Sequence, residues 1–433
     1  MKSLFATIWK DRRGNVLVIA AAALPMLIGA AGLASDTIQW TVWKRQLQRA
    51  ADSAAIAGVY DRSAAGGATT NSSATVSHDL ALNLKTWMAL ASGYPTISFP
   101  ANSGTMTNQV SVTLAVRQKL SFSSLFMTTP PLITATGTAA SVPGAGEYCV
   151  VSLENNASKT GITIGGSANI DMDCGMISNS PSSNSALANG NSSQVKATVI
   201  AAVGGVQASN RWQVGSYEPY SVAVADPYAN VSPPTPTGCT GFPGTNNLDF
   251  SSNPAHAAGQ TVCYNSDMRI QGNVVLGAAT YVLNSASLKM TSSGASLTCN
   301  GCTIILTSST AATNPSTIGT VSISGGALNL VAPQTGTYAG MAIFQDRRAL
   351  DSAGNNIING NSGSIVQGTL YFPSQQFTYN GDGTATAICT QFVSRRIIFT
   401  GNNTTSNKFA KASSCGSKVA GIIGAGRLVR LVG

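Results

Sequence analysis

Nineteen consecutive residues without a charge, Val16 to Ala34 in "RRGNVLVIAAAALPMLIGAAGLASD", lie near the start of this 433-residue chain. A helix rises about 1.5 Å per residue, so such a run crosses roughly the hydrocarbon core of a bilayer. A secretory h-region is usually shorter, about 7–15 residues. Gly32-Leu33-Ala34 does read as a small-residue cleavage site before Ser35, so a released exoprotein is the alternative. Pro25 in mid-span is tolerated in lipid, where the freed carbonyl finds other partners. The length favours a retained transmembrane helix over residues 16–34, with Val16, Pro25 and Ala34 in the anchor. Lys2, Lys10, Arg12 and Arg13 precede the span with only Asp11 against them. Lys44, Arg45, Arg49 and Arg62 follow it, interspersed with Asp36, Asp52 and Asp61. The denser basic cluster makes residues 1–15 a cytoplasmic stub and exports the remainder, by the positive-inside rule.

Only 9% of residues are charged, against about 25% in ordinary soluble proteins. Gly, Ser, Thr, Asn and Ala fill the gap, as expected of an extracytoplasmic β-rich protein with polar, uncharged loops. The formal charge of +9 does not make a nucleic-acid binder, because the basic residues are scattered and no recognition motif accompanies them. The last stretch is the exception. Arg395, Arg396, Lys408, Lys411, Lys418, Arg427 and Arg430 follow Gly383 with no acidic residue among them. They read either as a solvated face or as a contact for an anionic envelope polymer.

All the cysteines lie beyond residue 148: Cys149, Cys174, Cys239, Cys263, Cys299, Cys302, Cys389 and Cys415. An even number confined to the exported part fits disulfides in an oxidising compartment. On the order of a hundred connectivities are open to eight cysteines. Short loop closure favours neighbour pairing: 149 with 174, 239 with 263, 299 with 302 and 389 with 415. Cys299-Asn-Gly-Cys302 has the spacing of a redox motif or half a zinc site. With no second C-x-x-C and only His78 and His256 in the chain, a structural bridge is the better reading, and no metal or cofactor is expected.

Beyond the span the helical pattern continues. Trp43, Leu47, Ala50, Ala54 and Ala57 make a narrow apolar stripe at spacings of four and three, which serves either packing on the chain's own domain or a stalk interface for partners. Asp61–Thr75 reads as a loop. A second helix is expected from Val76 through Leu80, Leu84, Trp87 and Met88 to Ala91, stopped by Gly93 and Pro95. Val110–Val116 and Ile133–Val142 alternate like strands, and Phe122–Phe126 resembles a short helical turn. Residues 35–142 therefore form a helical stalk with a small α/β unit.

From Tyr148 to the end of the chain at residue 433 the texture is short strand-like runs ("CVVSL", "GITIGG", "CTIIL", "GTLYFP", "RRIIF") separated by Gly, Asn and Ser corners. Many strands without helices mean a solenoid, a sandwich or a barrel. The recurring small-apolar-small texture favours a β-solenoid-like (β-helix) region over a β-sandwich, the chain as a whole being mainly β. The proline-rich segment around 225–240, with Ser232–Thr237 at its centre, marks a loop or sub-domain junction within this disulfide-bearing domain.

The N-terminal pattern also resembles a known family. R-R-G-N (Arg12–Asn15), a central L-P (Leu24-Pro25), A-G-L-A-x-D (Ala31–Asp36) and R-x-L-Q-x-A-A-D-x-A-A (Arg45–Ala55) together look like the Flp pilus-assembly TadE/TadG-like N-terminal domain. "CGMISNSPSSNSALANGNSSQVKATVIAAVGG" and "ADPYANVSPPTP" are similar to a region that often follows this anchor. One position departs from pilin leaders: five residues after Gly14 stands Ile19 rather than glutamate, and no carboxylate occurs between Asp11 and Asp36. The resemblance thus implies the TadG-like, membrane-anchored accessory branch. The chain would be a single-pass bacterial inner-membrane protein of a tight-adherence (Tad) pilus and adhesion system, with pilus-assembly or secretion components as partners. Some relatives carry a D-x-S-x-S metal site; Asp351-Ser352-Ala353-Gly354-Asn355 does not match it.

β-Helices also host glycan-cleaving and glycan-binding proteins, which makes that the rival class. Asp171 and Asp173 project from one strand face, and Asp346, Arg347, Arg348 and Asp351 form the densest charged cluster of the exported part. A glycan site requires these carboxylates to converge on one groove; dispersal over turns favours a structural protein. Trp212, Tyr217 and Tyr220 form either a sugar-stacking patch or a local packing core. No nucleophile–base motif is visible, so no catalytic residue is assigned.

Overall fold

The structure, a computed structural model, describes residues 15–360, 364–381, 384–387, 389–401, 404–407 and 426–432. The chain divides into two compact units, residues 1–142 with 429–433, and residues 143–428.

The first unit is organised by one 50-residue helix, α1 (Asn15–Ala64), which continues through Pro25. Its C-terminal half is buried by the unit's own sheet. Leu47, Ala50, Ala51, Ala54, Ala55 and Val59 form a core with Val110, Val112, Leu114, Ile133 and Ala135. Those partners lie on two antiparallel strands, β2 (Thr107–Arg117) and β3 (Leu132–Pro143), with β1 (Thr96–Ser98) on the edge. The alanines let the sheet approach closely. At Gly137 of β3 an added Cβ would come within 2.7 Å of the Ala51 backbone carbon. The stripe of Leu47, Ala50 and Ala54, with Trp43 packed beside it, is therefore occupied by the chain's own sheet rather than offered to partners as a stalk interface. The second helix, α2 (Ser72–Asn83), is shorter than its apolar periodicity suggests. Leu84 turns to extended backbone, and Met88 reaches the same core from a turn instead of a helix.

The second unit is β-helix-like, with three ladders of parallel strands running through it. In one ladder, Thr261–Tyr264 pairs with Thr280–Asn284, then Thr303–Thr307, Met341–Gln345, Ile365–Gly381 and Thr390–Thr400. The last of these pairs with Tyr148–Ser152, and the ladder continues through Gly175–Ser178 and Gln194–Ala202 to Trp212–Pro219. The coil at residue 148 thus stacks on the coil at residue 400, and the spatial order is 261 to 400 followed by 148 to 219. A second ladder runs from Met268–Ile270 to Ala186–Ala188 along the same stack. A third links Leu248–Asp249, Asn273–Leu276, Ser296–Asn300 and Ala327–Val331 to Ile365–Gly381. Inside, aromatic residues at facing positions stack, as Phe372 on Phe377 with ring centroids 5.3 Å apart.

This order requires a connection from the coil ending at Pro219 back to the one starting at Leu248, and residues 220–247 supply it as a strap. Asn179 exchanges hydrogen bonds with the backbone of Val224 at 2.7 and 3.0 Å. The Tyr371 hydroxyl donates to Asp226 at 2.6 Å, and the Tyr228 hydroxyl bonds Thr369 at 2.9 Å and also Gln391. Arg347 donates to the carbonyls of Tyr228 and Ala229 at 2.6 and 2.7 Å. The Tyr338 hydroxyl donates to the Ser232 carbonyl at 2.7 Å, and the Cys239–Cys263 disulfide pins the far end. The prolines at 233, 234 and 236, which have no N–H to give to a ladder, suit the extended middle of this segment. Residues 225–240 therefore cross a single unit rather than divide it.

The strap explains why runs such as "CVVSL" and "CTIIL" show no alternation of buried and exposed positions. One sheet carries an outer apolar column in strand register: Ile305, Phe344, Tyr371, Val393, Val151, Ile177 and Ala201. Tyr228, with Val224 and Val231 beside it, covers this column. That sheet is buried on both faces, so its strands lose the polar alternation of a half-exposed sheet.

Candidate functional site

The feature that asks for something outside the chain is the first half of α1. Val18, Ile19, Leu24, Met26, Leu27, Ile28 and Leu33 are all exposed, as are Pro25 and Ala34. The most apolar 18-residue stretch of the helix has a mean hydropathy of 2.0, and none of it is buried among the described residues. Val16 is the second residue of the helix. Water penalises an apolar surface of this size by about 25 cal/mol per Å². The helix is long and apolar enough to cross a membrane.

The change of environment falls at Asp36, the first carboxylate after the span, which is only 4% exposed. Its Oδ1 accepts the Phe122 N–H at 2.8 Å, and its Oδ2 accepts the Ser123 N–H at 2.6 Å and the Ser123 hydroxyl at 2.5 Å. Burial raises the pKa of this carboxyl, but the three hydrogen bonds outweigh it and hold the group below the ordinary aspartate value. One turn outward, Gln39 exchanges hydrogen bonds with Ser121 at 2.7 and 3.3 Å. One turn inward, the Phe122 ring lies over Gly32 so closely that an added Cβ would sit 2.3 Å from it. Gly32, Asp36 and Gln39 share one helix face, and together they fasten the loop between β2 and β3 to the outer end of the span.

This helix is also where a known family is found. Residues 14–66 match the family described as "Putative Flp pilus-assembly TadE/G-like". Over these residues the N-terminal segment is similar to TadE/G-like domains. The match covers α1 from end to end, so the exposed apolar half, Asp36 and the core-forming half all lie within the matched segment. Neither a curated protein nor a solved structure matches the chain.

The β-helix-like unit disperses the residues that a glycan site would need. Asp171 faces Lys196 across neighbouring strands at 3.6 Å, both well exposed. Asp346 is buried and receives the Arg348 guanidinium at 2.6 Å and the Thr307 hydroxyl at 2.7 Å. Asp351 pairs with Arg396 at 2.5 Å. Asp173 is exposed and joins none of these pairs. Among the described residues no group of His, Cys, Asp and Glu gathers to hold a metal ion. Trp212 is buried, its indole N–H donating to the Gln207 carbonyl at 3.1 Å, whereas Tyr217 and Tyr220 are exposed. A concavity of about 370 Å³ between coils is lined by Ala258, Gly259, Thr261, Thr280, Pro333 and Tyr338, without a charged group.

The strongest ionic cluster was not foreseen from the sequence. Glu154 is buried and accepts Arg396 at 2.7 Å, Arg395 at 3.2 Å and two backbone N–H groups at 3.0 Å. With Asp351 it neutralises Arg395 and Arg396, which removes two members of the basic set near the chain end. Lys408, Lys411 and Lys418 lie outside the described residues, as do Lys2, Lys10, Arg12 and Arg13. The only signal for this cluster was a lone glutamate in "SLENN", within a nearly uncharged stretch. Cys149–Cys174, Cys239–Cys263 and Cys299–Cys302 are disulfides. The pairing expected for Cys389 and Cys415 falls outside the described residues, because Cys415 does.

Proposed function

We propose that this protein is a membrane-anchored accessory or structural component of a Flp (Tad) pilus-assembly and adhesion system. The TadE/G-like match on a helix whose first half has no cover among the described residues carries this reading. On it, α1 spans the bacterial inner membrane with residues 1–15 in the cytoplasm, and the disulfide-bearing β-helix-like unit lies in the periplasm or at the surface. The basic cluster before the span and the disulfides after it support that orientation. Ile19, in place of the pilin-type glutamate, supports an accessory role over a fibre subunit. The partners are pilus-assembly or secretion components of the envelope. An anionic envelope polymer is a weaker proposal, since Arg395 and Arg396 are already paired.

Deletion and complementation in the native organism test the function. Loss of surface pili or of attachment, restored by the full chain but not by one lacking residues 16–34, is the expected result. Unchanged piliation and adhesion would overturn the reading. The mass of the N-terminal peptide from native membranes checks the anchor: a start at Met1 or Lys2 agrees with retention, and a start at Ser35 contradicts it.

A further inference from the structure

The loop between β2 and β3 does more than brace α1. Its descent along the helix is fixed by three contacts: Ser121 at Gln39, Ser123 at Asp36 and Phe122 at Gly32. Each step moves about one turn, or roughly 5 Å, towards the apolar half of α1. Gly32 lies within the nineteen-residue span, so Phe122 sits level with its last turn. Immediately beyond, the one-turn helix Ser123–Leu125 holds up an apolar tip. Leu125 is 74% exposed and Phe126 76%, and Met127 and Leu132 are exposed beside them. Phe126 meets Phe122 edge-on at 5.4 Å, so the tip is ordered from beneath by an aromatic pair. Trp40, with Lys44 5.0 Å from its ring centroid, stands on α1 just outside the span, where aromatic and basic side chains collect at a membrane–water boundary.

We infer that Leu125, Phe126 and Met127 insert into the bilayer leaflet that α1 leaves, giving the anchor a second, interfacial foot. The inference rests on the reading of α1 as a membrane span. The bilayer is the occupant because the tip is continuous with the uncovered apolar half of the same helix and is fastened level with its end. The flanking groups, Ser124, Thr128 and Thr129, are uncharged and hydroxylic, which suits the headgroup region. A single helix fixes depth but leaves rotation about its axis free. A second foot on the Gly32–Asp36–Gln39 face removes that freedom and presents the first unit to the membrane in one orientation.

The test uses the full chain in vesicles of phosphatidylethanolamine and phosphatidylglycerol, with a benzophenone amino acid replacing Phe126. A control places it at Leu82, which is 72% exposed on α2. After irradiation, mass spectrometry is expected to find lipid adducts at position 126 several-fold above those at position 82. Asp36→Ala, which unfastens the loop, is expected to lower the yield at 126 while the protein still floats with the vesicles. Equal yields at the two positions, or adducts at 126 to a second protein chain, would overturn the insertion while leaving the anchor intact. Failure of the chain to float would overturn the anchor reading and the insertion together.

Discussion

Two stretches of outward-facing apolar side chains in this molecule meet opposite fates. On the β-helix-like unit, the column from Ile305 through Phe344 and Tyr371 to Ile177 is covered by residues 220–247 of the same chain. On α1, the large apolar side chains from Val18 to Leu33 are exposed, with no cover from the described residues. Both stretches are apolar enough to require cover, so the difference lies in where the cover comes from. The strap brings aromatic and aliphatic groups together with hydrogen bonds that satisfy its own backbone. The helix already satisfies its backbone internally, which is the condition for facing lipid.

The comparison is broken most forcefully at Phe344, fully buried beneath the strap. Phe344→Ala is expected to cost about 3–5 kcal/mol of stability in the β-helix-like unit, by chemical denaturation, without altering membrane association. Leu27→Arg attacks the other stretch and should do the converse. A charge at the centre of a span costs about 2.5–3.5 kcal/mol of insertion, so carbonate extraction should release more protein while the unfolding transition of the β unit stays in place. If either substitution affects both readouts, the two stretches are not independent.

Glu154 sharpens the contrast through pH. Burial pushes its carboxyl up, but hydrogen bonds from Arg396, Arg395 and the Asn156 N–H outweigh this and hold its pKa below the ordinary 4.5. A depressed folded pKa contributes stability above the unfolded value, and this is lost as pH falls through the folded one. Denaturation midpoints of the β unit should therefore fall as the solution is acidified below about pH 4.5. Glu154→Gln should cost about 3 kcal/mol near neutrality and flatten that acid slope, since it leaves Arg395 and Arg396 with Asp351 alone. The smallest effect is expected from Lys196→Ala. Its pair with Asp171 is solvent-exposed, and denaturation should move by no more than about 0.5 kcal/mol.

Much of the fold was legible because local pattern and burial coincide in it. β2 and β3 follow from period-two alternation, the apolar half of α1 from the length of its uncharged run, and the solenoid-like region from its recurring small-apolar-small texture. The second helix was read too long because Leu84, Trp87 and Met88 keep helical spacing beyond Asn83. Met88 needs only to reach the core, and a turn delivers it there as well as a helix does. The stripe at Leu47, Ala50 and Ala54 marked a packing face without revealing the partner, since a stripe of small residues suits a sheet and a neighbouring protein equally. The site carboxylates were read as a possible cluster because Asp346 and Asp351 are close in sequence. In the fold, each turns to a different basic partner.

What the sequence by itself determined is the character of each segment: an uncharged apolar run long enough to cross a membrane at Val16–Ala34, and short strand-like runs that carry all the cysteines beyond residue 148. These follow from composition and period, which act over a few residues. Tertiary structure alone decided that the coil at residue 148 stacks on the coil at residue 400, and that a proline-rich segment becomes the cover of a sheet. It alone fastened Phe122 to Gly32 and Ser123 to Asp36 across more than eighty residues of chain. The physical reason is that parallel pairing and burial depend on which surfaces meet. Identical alternating strands satisfy their hydrogen bonds with any neighbour, so only the packing of the whole stack selects one.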